Sequence, residues 1–248
     1  MFRGSHYIYY GMYLVGFAIL MIINLKDHER YKISRKNAVL YSLYTYVCGV
    51  VGAILMGKIY SALNSYLGFK ADSTVAIFGA VVFTPFLLLV FPIKRGEWKK
   101  ALDMLTPGIL IILACAKFGC SFAGCCAGFV WEHGIYNPIV GEKVFPIQVC
   151  EFVTMLIVLF VTQAYIRKSK HFVVGTAYPI TFAVYSVTRF VWEFFRYYKY
   201  EELRTIIFGM TFWQFICLLV FVSSVTIIIV SRLQQKKKSA EMISETVS

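Results

Sequence analysis

Charge is scarce in this chain. Asp, Glu, Lys and Arg make up 15% of its 248 residues, where soluble domains carry about a quarter. Acidic side chains are scarcest, 13 against 25 Lys and Arg, so the net charge is +12. The shortage excludes a solvated catalytic domain of ordinary composition. Histidine is also rare, with four in the chain, and none is spaced to pair with another as a metal ligand. A long basic arm interleaved with aromatics is lacking, which argues against nucleic acid as a partner. No internal repeat of the transporter kind is visible. The first apolar run, Ile8 to Leu25, has no small-residue cleavage site after it and is too long for a signal peptide core. It reads as a membrane span.

What is abundant is apolar: 59% hydrophobic residues, 17% aromatic, mean hydropathy +0.68. These values predict an all-α integral membrane protein, since a chain this long accommodates about seven helical spans of roughly 20 residues. The expected spans are 8–25, 38–63, 73–92, 104–130, 147–166, 172–195 and 206–230. Residues 1–231 then form one polytopic membrane domain, and 232–248 a basic and polar tail without fixed structure. The segment from Trp131 to Phe145 is polar and contains Gly134, Pro138 and Gly141, so it reads as a loop. Sixteen Lys and Arg fall in the segments that follow spans one, three, five and seven, and six fall in the amino terminus and the other loops. The positive-inside rule places the amino terminus outside and the carboxyl terminus inside.

Within that arrangement several polar side chains interrupt apolar helices toward the outer surface. Lys58 lies near the outer end of span two, and Lys117 in the outer half of span four. Gln148 and Glu151 open span five, and Arg189 and Glu193 close span six. A cation inside hydrocarbon costs roughly 2.5–3.5 kcal/mol on insertion scales, so it marks a polar cavity or an anionic partner. The segment CAKFGCSFAGCCAG, Cys115 to Gly128, is the densest. At helical spacing Lys117, Cys120, Gly124 and Gly128 share a face, suited either to close packing with a snorkelling lysine or to a lipid. In RFVWEFFR, Arg189, Glu193 and Arg196 share a face. One arginine pairs with the glutamate, and the other suits a phosphate, which the planar guanidinium binds bidentately. The seven cysteines form no disulfide framework. Cys120, Cys125 and Cys126 are physically able to react beside Lys117, but their spacing is not C-x-x-C, and no metal is expected there. His133, in the outer loop, reads as solvated.

In order along the chain, YYGMYLVGF, GAILMGKIY, AKFGCSFAGCCAG, FPIQVCEF, YSVTRFVWEFFR and GMTFWQ resemble segments of the prolipoprotein diacylglyceryl transferase family. The resemblance covers nearly the whole chain. It implies transfer of a diacylglyceryl group from phosphatidylglycerol to a cysteine thiol of a lipoprotein precursor, with glycerol phosphate released at the outer face of the bacterial cytoplasmic membrane. It implies no cofactor and no metal. Its catalytic positions fall on Arg189, Lys117 and Glu151. Its substrate-binding positions fall on Lys58, Gly119, Cys120, Gly124, Cys125, Gly128, Gln148, Glu193 and Arg196. The departures are specific. The family's histidine falls on Phe78, which cannot accept a proton. Its signature arginine falls on Lys117, its two asparagines on Cys120 and Ala123, and its glutamate on Cys125. Two other functions fit these departures: a catalytically silent lipid-binding or assembly protein, and a membrane thiol oxidoreductase.

Overall fold

The computed structural model describes residues 3–66, 76–94, 96–169, 172–198 and 209–247. Among the described residues seven α-helices follow one another: α1 (Arg3–Asp27), α2 (Arg35–Tyr66), α3 (Phe78–Leu87), α4 (Trp98–Ala123), α5 (Ile147–Lys168), α6 (Ala177–Trp192) and α7 (Phe212–Val247). A single 3₁₀ turn extends α3 over Leu88–Val90 and another extends α6 over Glu193–Phe195. Among the described residues five helices are long and apolar enough to cross a membrane: α1, α2, α4, α5 and α7. The protein is therefore a multi-pass, mainly helical membrane protein. The third and sixth of the expected spans are shorter than the sequence suggested, with 10 residues in α3 and 16 in α6.

The axial helix is α4. Its span is 72% buried, against 17% for those of α1 and α7, which lie at the periphery. Its Met104, Leu105, Leu110 and Leu113 form the closed part of the core with Tyr41 of α2 and Phe182 of α6. Small residues let backbones meet where helices cross. A Cβ on Gly79 of α3 would stand 2.2 Å from the Gly52 carbonyl oxygen of α2, and a Cβ on Gly108 of α4 would stand 2.5 Å from Leu20 of α1.

One end of the bundle gathers the basic connections. Arg167 pairs with Asp27 at 2.7 Å, and Tyr41 donates to Glu97 at 2.8 Å. Asp103, fully buried, caps α6 by accepting from the amides of Ala177 at 2.9 Å and Gly175 at 2.6 Å, which satisfies donors a helix start leaves open. Lys117 stands fourteen residues further along α4, about 21 Å away at 1.5 Å per residue, at the opposite end.

That opposite end departs from the expected helices. α4 stops at Ala123 rather than running to residue 130, because Gly124 adopts the left-handed conformation (φ 72°) that ends helices. Gly124 and Gly128 therefore do not share a helix face with Lys117 and Cys120. The expected loop is instead a hairpin: β1 (Val130–Asn137) pairs antiparallel with β2 (Glu142–Val144). Asn137 makes the turn, its side-chain oxygen accepting from the amides of Ile139 at 2.9 Å and Val140 at 3.2 Å. At the carboxyl end α7 continues to Val247, through the segment read as an unstructured tail; its Lys, Gln, Glu and Ala residues are good helix formers.

Candidate functional site

At the end of the bundle away from the basic connections, three cations and two carboxylates converge inside the protein. Glu151, on the second turn of α5, is 1% exposed. Lys117 of α4 reaches one of its oxygens at 2.7 Å. Arg196, just past the 3₁₀ turn that follows α6, donates to both oxygens at 2.9 and 3.0 Å. Arg189, in the last turn of α6, places Nε 3.4 Å from the same carboxylate and pairs through its other nitrogen with Glu193. Arg196 Nε lies 3.1 Å from Glu193. The second Glu193 oxygen accepts from Tyr198 and, at 3.4 Å, from Thr211. Burial, and then the Glu193 carboxylate, push the Tyr198 phenol up from its ordinary pKa.

The count of charges is informative. Among the described residues, Lys117, Arg189 and Arg196 face the carboxylates of Glu151 and Glu193, leaving one positive charge in surplus over those carboxylates. Isolated buried charges cost several kcal/mol each and are tolerated when paired and hydrogen-bonded. A surplus cation in such a place suits an anion from outside the chain. Glu151 and Arg189 also line a narrow crevice between α5 and α6, with Thr154, Tyr185 and Trp192 beside them.

Irregular backbone positions this cluster. The stretch after α4 pairs with the stretch after α6: Phe129 N–H donates to Phe195 O at 3.0 Å and Tyr197 N–H to Ala127 O at 3.0 Å, around a Gly128–Arg196 bridge. Phe145 N–H donates to Phe129 O at 2.9 Å. Gly128 allows this crossing, because a Cβ there would meet the Phe145 carbonyl oxygen at 2.5 Å. Two side chains hold the turn itself. Asn137 donates to Gly124 O at 2.8 Å, and Gln148 to Cys125 O at 2.7 Å.

The reversal at Gly124 also brings Cys120, Cys125 and Cys126 together, with their sulfurs all within 4.8 Å of one another. Cys126 itself has a positive φ of 58°. Hydrogen bonds with Cys120 and then Cys125, with Lys117 and Arg196 adding to them, hold the Cys126 thiol well below its ordinary pKa.

A family model for prolipoprotein diacylglyceryl transferase matches residues 4–230. The chain belongs to the prolipoprotein diacylglyceryl transferase family. Among its curated relatives, the phosphatidylglycerol–prolipoprotein diacylglyceryl transferase of Clostridium tetani is 22% identical over 200 residues, covering 74% of this chain and 78% of that protein. A second, numbered 2, from Clostridium perfringens is 22% identical over 210 residues, covering 77% and 79%.

Of the positions that the family resemblance singled out, the ionic cluster unites Lys117, Glu151, Arg189, Glu193 and Arg196. Gln148 and Cys125 meet at its edge, and Gly124 and Gly128 shape the turn. Gly119 packs α4 against α1, where a Cβ would stand 3.2 Å from Tyr9 Cα. Lys58 is not brought to the cluster: it stands exposed on α2, with no ion pair among the described residues. Phe78 is buried against Tyr185, ring centroids 5.8 Å apart, one helical turn from Arg189. His133 is solvated beside Glu132. Lys70, Lys199 and Arg204 lie outside the described residues. Sequence reasoning missed Asn137, Tyr198 and Thr211. An Asn followed by Pro and Gly is a turn signal, but nothing local announces that Tyr198 and Thr211 meet a glutamate.

Proposed function

We propose that this protein transfers a diacylglyceryl group from phosphatidylglycerol to a cysteine thiol of a lipoprotein precursor, at the outer face of the bacterial cytoplasmic membrane. The observation that carries the proposal is the buried ionic cluster with its surplus positive charge, in a member of a family whose curated relatives bear that activity in their names. The phosphodiester of phosphatidylglycerol carries one negative charge, matching the surplus. In this reading the chain makes seven passes with its amino terminus outside. The positive-inside count supports that orientation, as does the position of the cluster at the end away from the basic connections.

Arg189 and Arg196 present guanidinium groups to the phosphate, and Lys117 adds a third cation. As the glycerol phosphate leaves, negative charge grows on the bridging oxygen, and fixed cations in a low-dielectric site stabilise it. Glu151 gathers and orients these cations. Both its oxygens are already engaged by them, so it is a poor candidate for taking a proton. Phe78 cannot take one either. Gln148 and Gly124, Gly128 and Cys125 hold the turn that borders the headgroup, while Gly119 seats α4 against α1. Lys58 contributes at the membrane surface, steering anionic lipid rather than touching the transferred group.

The experiment is a transfer assay with labelled phosphatidylglycerol and a cysteine-bearing precursor peptide, using the full chain in detergent or vesicles. Wild type transfers label, and Arg189→Ala loses it while keeping the helical circular dichroism of the parent. Full transfer by Arg189→Ala would remove the phosphate from this place. Lipid binding with no transfer by the wild type would favour the silent lipid-binding reading.

A further inference from the structure

The three thiols at the turn after α4 are not used by the reaction as derived above, and the acceptor still lacks a group that makes it a thiolate. We propose that Cys120, Cys125 and Cys126 hold one zinc ion whose open fourth position binds the acceptor thiol as a thiolate. The inference rests on the transferase reading for its substrate, and on geometry for the site.

The sulfurs are already mutually within 4.8 Å. A zinc–sulfur bond is about 2.3 Å, so ligands on a tetrahedral centre stand roughly 3.8 Å apart. Closing the trio around an ion takes side-chain movements of no more than about 1 Å. All three cysteines are free thiols. Among the described residues no histidine or carboxylate joins this group of ligating atoms. Structural zinc sites are closed by four protein ligands, whereas catalytic sites supply three and leave one position open. Thiolate ligands select zinc and other soft ions.

The turn is built to present these atoms. In a helix continuing past Ala123, Cys125 and Cys126 would point about 140° and 240° around the axis from Cys120. The left-handed Gly124 turns the chain back instead. Cys126 adopts a positive φ that L residues seldom take, a conformation that persists where the surroundings impose it. Those surroundings are the Gln148 bond to Cys125 O and the Asn137 bond to Gly124 O. Lys117 and Arg196 lie close enough to Cys126 to act on it electrostatically. The same two cations belong to the ionic cluster, so donor phosphate and metal-bound acceptor would be neighbours.

The step balances without redox change. The acceptor thiol binds zinc and releases its proton to water. Its sulfur lone pair attacks the glyceryl carbon that carries the phosphate ester. A carbon–sulfur bond forms and the carbon–oxygen bond breaks, its electron pair leaving on glycerol phosphate, which Arg189, Arg196 and Lys117 receive. The metal replaces the proton acceptor that Phe78 does not provide.

The test uses full-length protein in detergent, stripped with chelator under reducing conditions and titrated with Co²⁺ as a spectroscopic substitute. The expected result is one Co²⁺ per chain with thiolate charge-transfer and tetrahedral d–d bands, displaced by Zn²⁺. Cys120→Ala, Cys125→Ala and Cys126→Ala each weaken Co²⁺ binding at least tenfold, and Cys48→Ala does not. A cysteine-bearing precursor peptide then shifts the d–d bands, and its serine counterpart leaves them unchanged. Absence of stoichiometric binding, or binding indifferent to the three cysteines, overturns the site. Bands unmoved by the cysteine peptide overturn the open position. Undiminished transfer by metal-free protein overturns the metal's role while leaving the transferase reading intact. The expected spectra and peptide response without any lipid transfer would sink the transferase reading and leave the metal site standing.

Discussion

Replacing Glu151 by Gln should destabilise the protein more than any other single isosteric change at this end of the bundle. The carboxylate neutralises Lys117 at 2.7 Å and Arg196 at 2.9 and 3.0 Å, with Arg189 Nε at 3.4 Å, and is 1% exposed. Glutamine keeps the shape and one acceptor but turns an amide N–H₂ toward cations. Arg189 and Arg196 then share Glu193, and Lys117 loses the carboxylate it pairs with. Removing one partner of a buried ion pair typically costs about 3–5 kcal/mol, because the remaining charge stays buried. For a chain of this length that corresponds to a fall of roughly 6–20 °C in Tm, readable by circular dichroism in mild detergent. The double variant Glu151→Gln/Lys117→Met removes one orphaned cation as well, and should recover at least about 1 kcal/mol as coupling between the two sites. A single variant within about 1 kcal/mol of wild type, or a double variant additive in its losses, would refute the reasoning. Either result would mean that water already shares the cluster and that the charges are not held together by Glu151.

Three further outcomes follow from the same geometry. Gly79→Leu drives a side chain into α2, where even a Cβ stands 2.2 Å from the Gly52 carbonyl, and should cost about 3 kcal/mol or more in stability by the same melt. Gln148→Ala frees the Cys125 carbonyl, now held at 2.7 Å; transfer should fall at least tenfold while Tm drops by only a few degrees, since one neutral hydrogen bond contributes about 1 kcal/mol. Gly128→Ala meets the Phe145 carbonyl at 2.5 Å, so it should separate the crossing strands and lower transfer, and Gly128→Ser should do no better.

Much of the site is legible in the sequence because charge in an apolar run has few explanations. Lys117, Glu151, Arg189, Glu193 and Arg196 each interrupt or terminate hydrophobic stretches, and each is found in the cluster. Lys58 gives the same signal and stands exposed, since a lysine near a helix end reaches the surface by extending its side chain; sequence does not distinguish the two. The end of α4 was illegible for a different reason. Gly124 lies among alanine, serine and cysteine, residues equally at home in a packed helix, and only its left-handed conformation shows the stop. On a continuous helix the spacing of five and six residues would turn Cys125 and Cys126 away from Cys120, so the sequence alone does not bring the three thiols together. The hairpin was hidden by β1's polar and aromatic mixture, with Gly134 in its middle, which lacks the alternation of a half-buried strand.

Non-helical backbone in a membrane protein persists only where its polar groups are satisfied within the protein or by water. That constraint explains why the cluster lies where it does. The segment after α4 and the segment after α6 leave their helices at the same end and satisfy one another, through the bonds of Phe129 to Phe195 and Tyr197 to Ala127. Arg196 sits in the middle of that crossing, its backbone bridged to Gly128 and its guanidinium on Glu151. The pairing that completes the backbone thus also fixes a cation against α5, and Gln148, three residues before Glu151, fixes the thiol-bearing turn from the same helix face. A displacement of the turn must therefore move Arg196, and a displacement of Arg196 must disturb Glu151 and the cations it holds. In this arrangement the ionic cluster and the cysteine-bearing turn are joined by a continuous set of hydrogen bonds, so substitutions at the turn are expected to affect transfer well before they affect the fold.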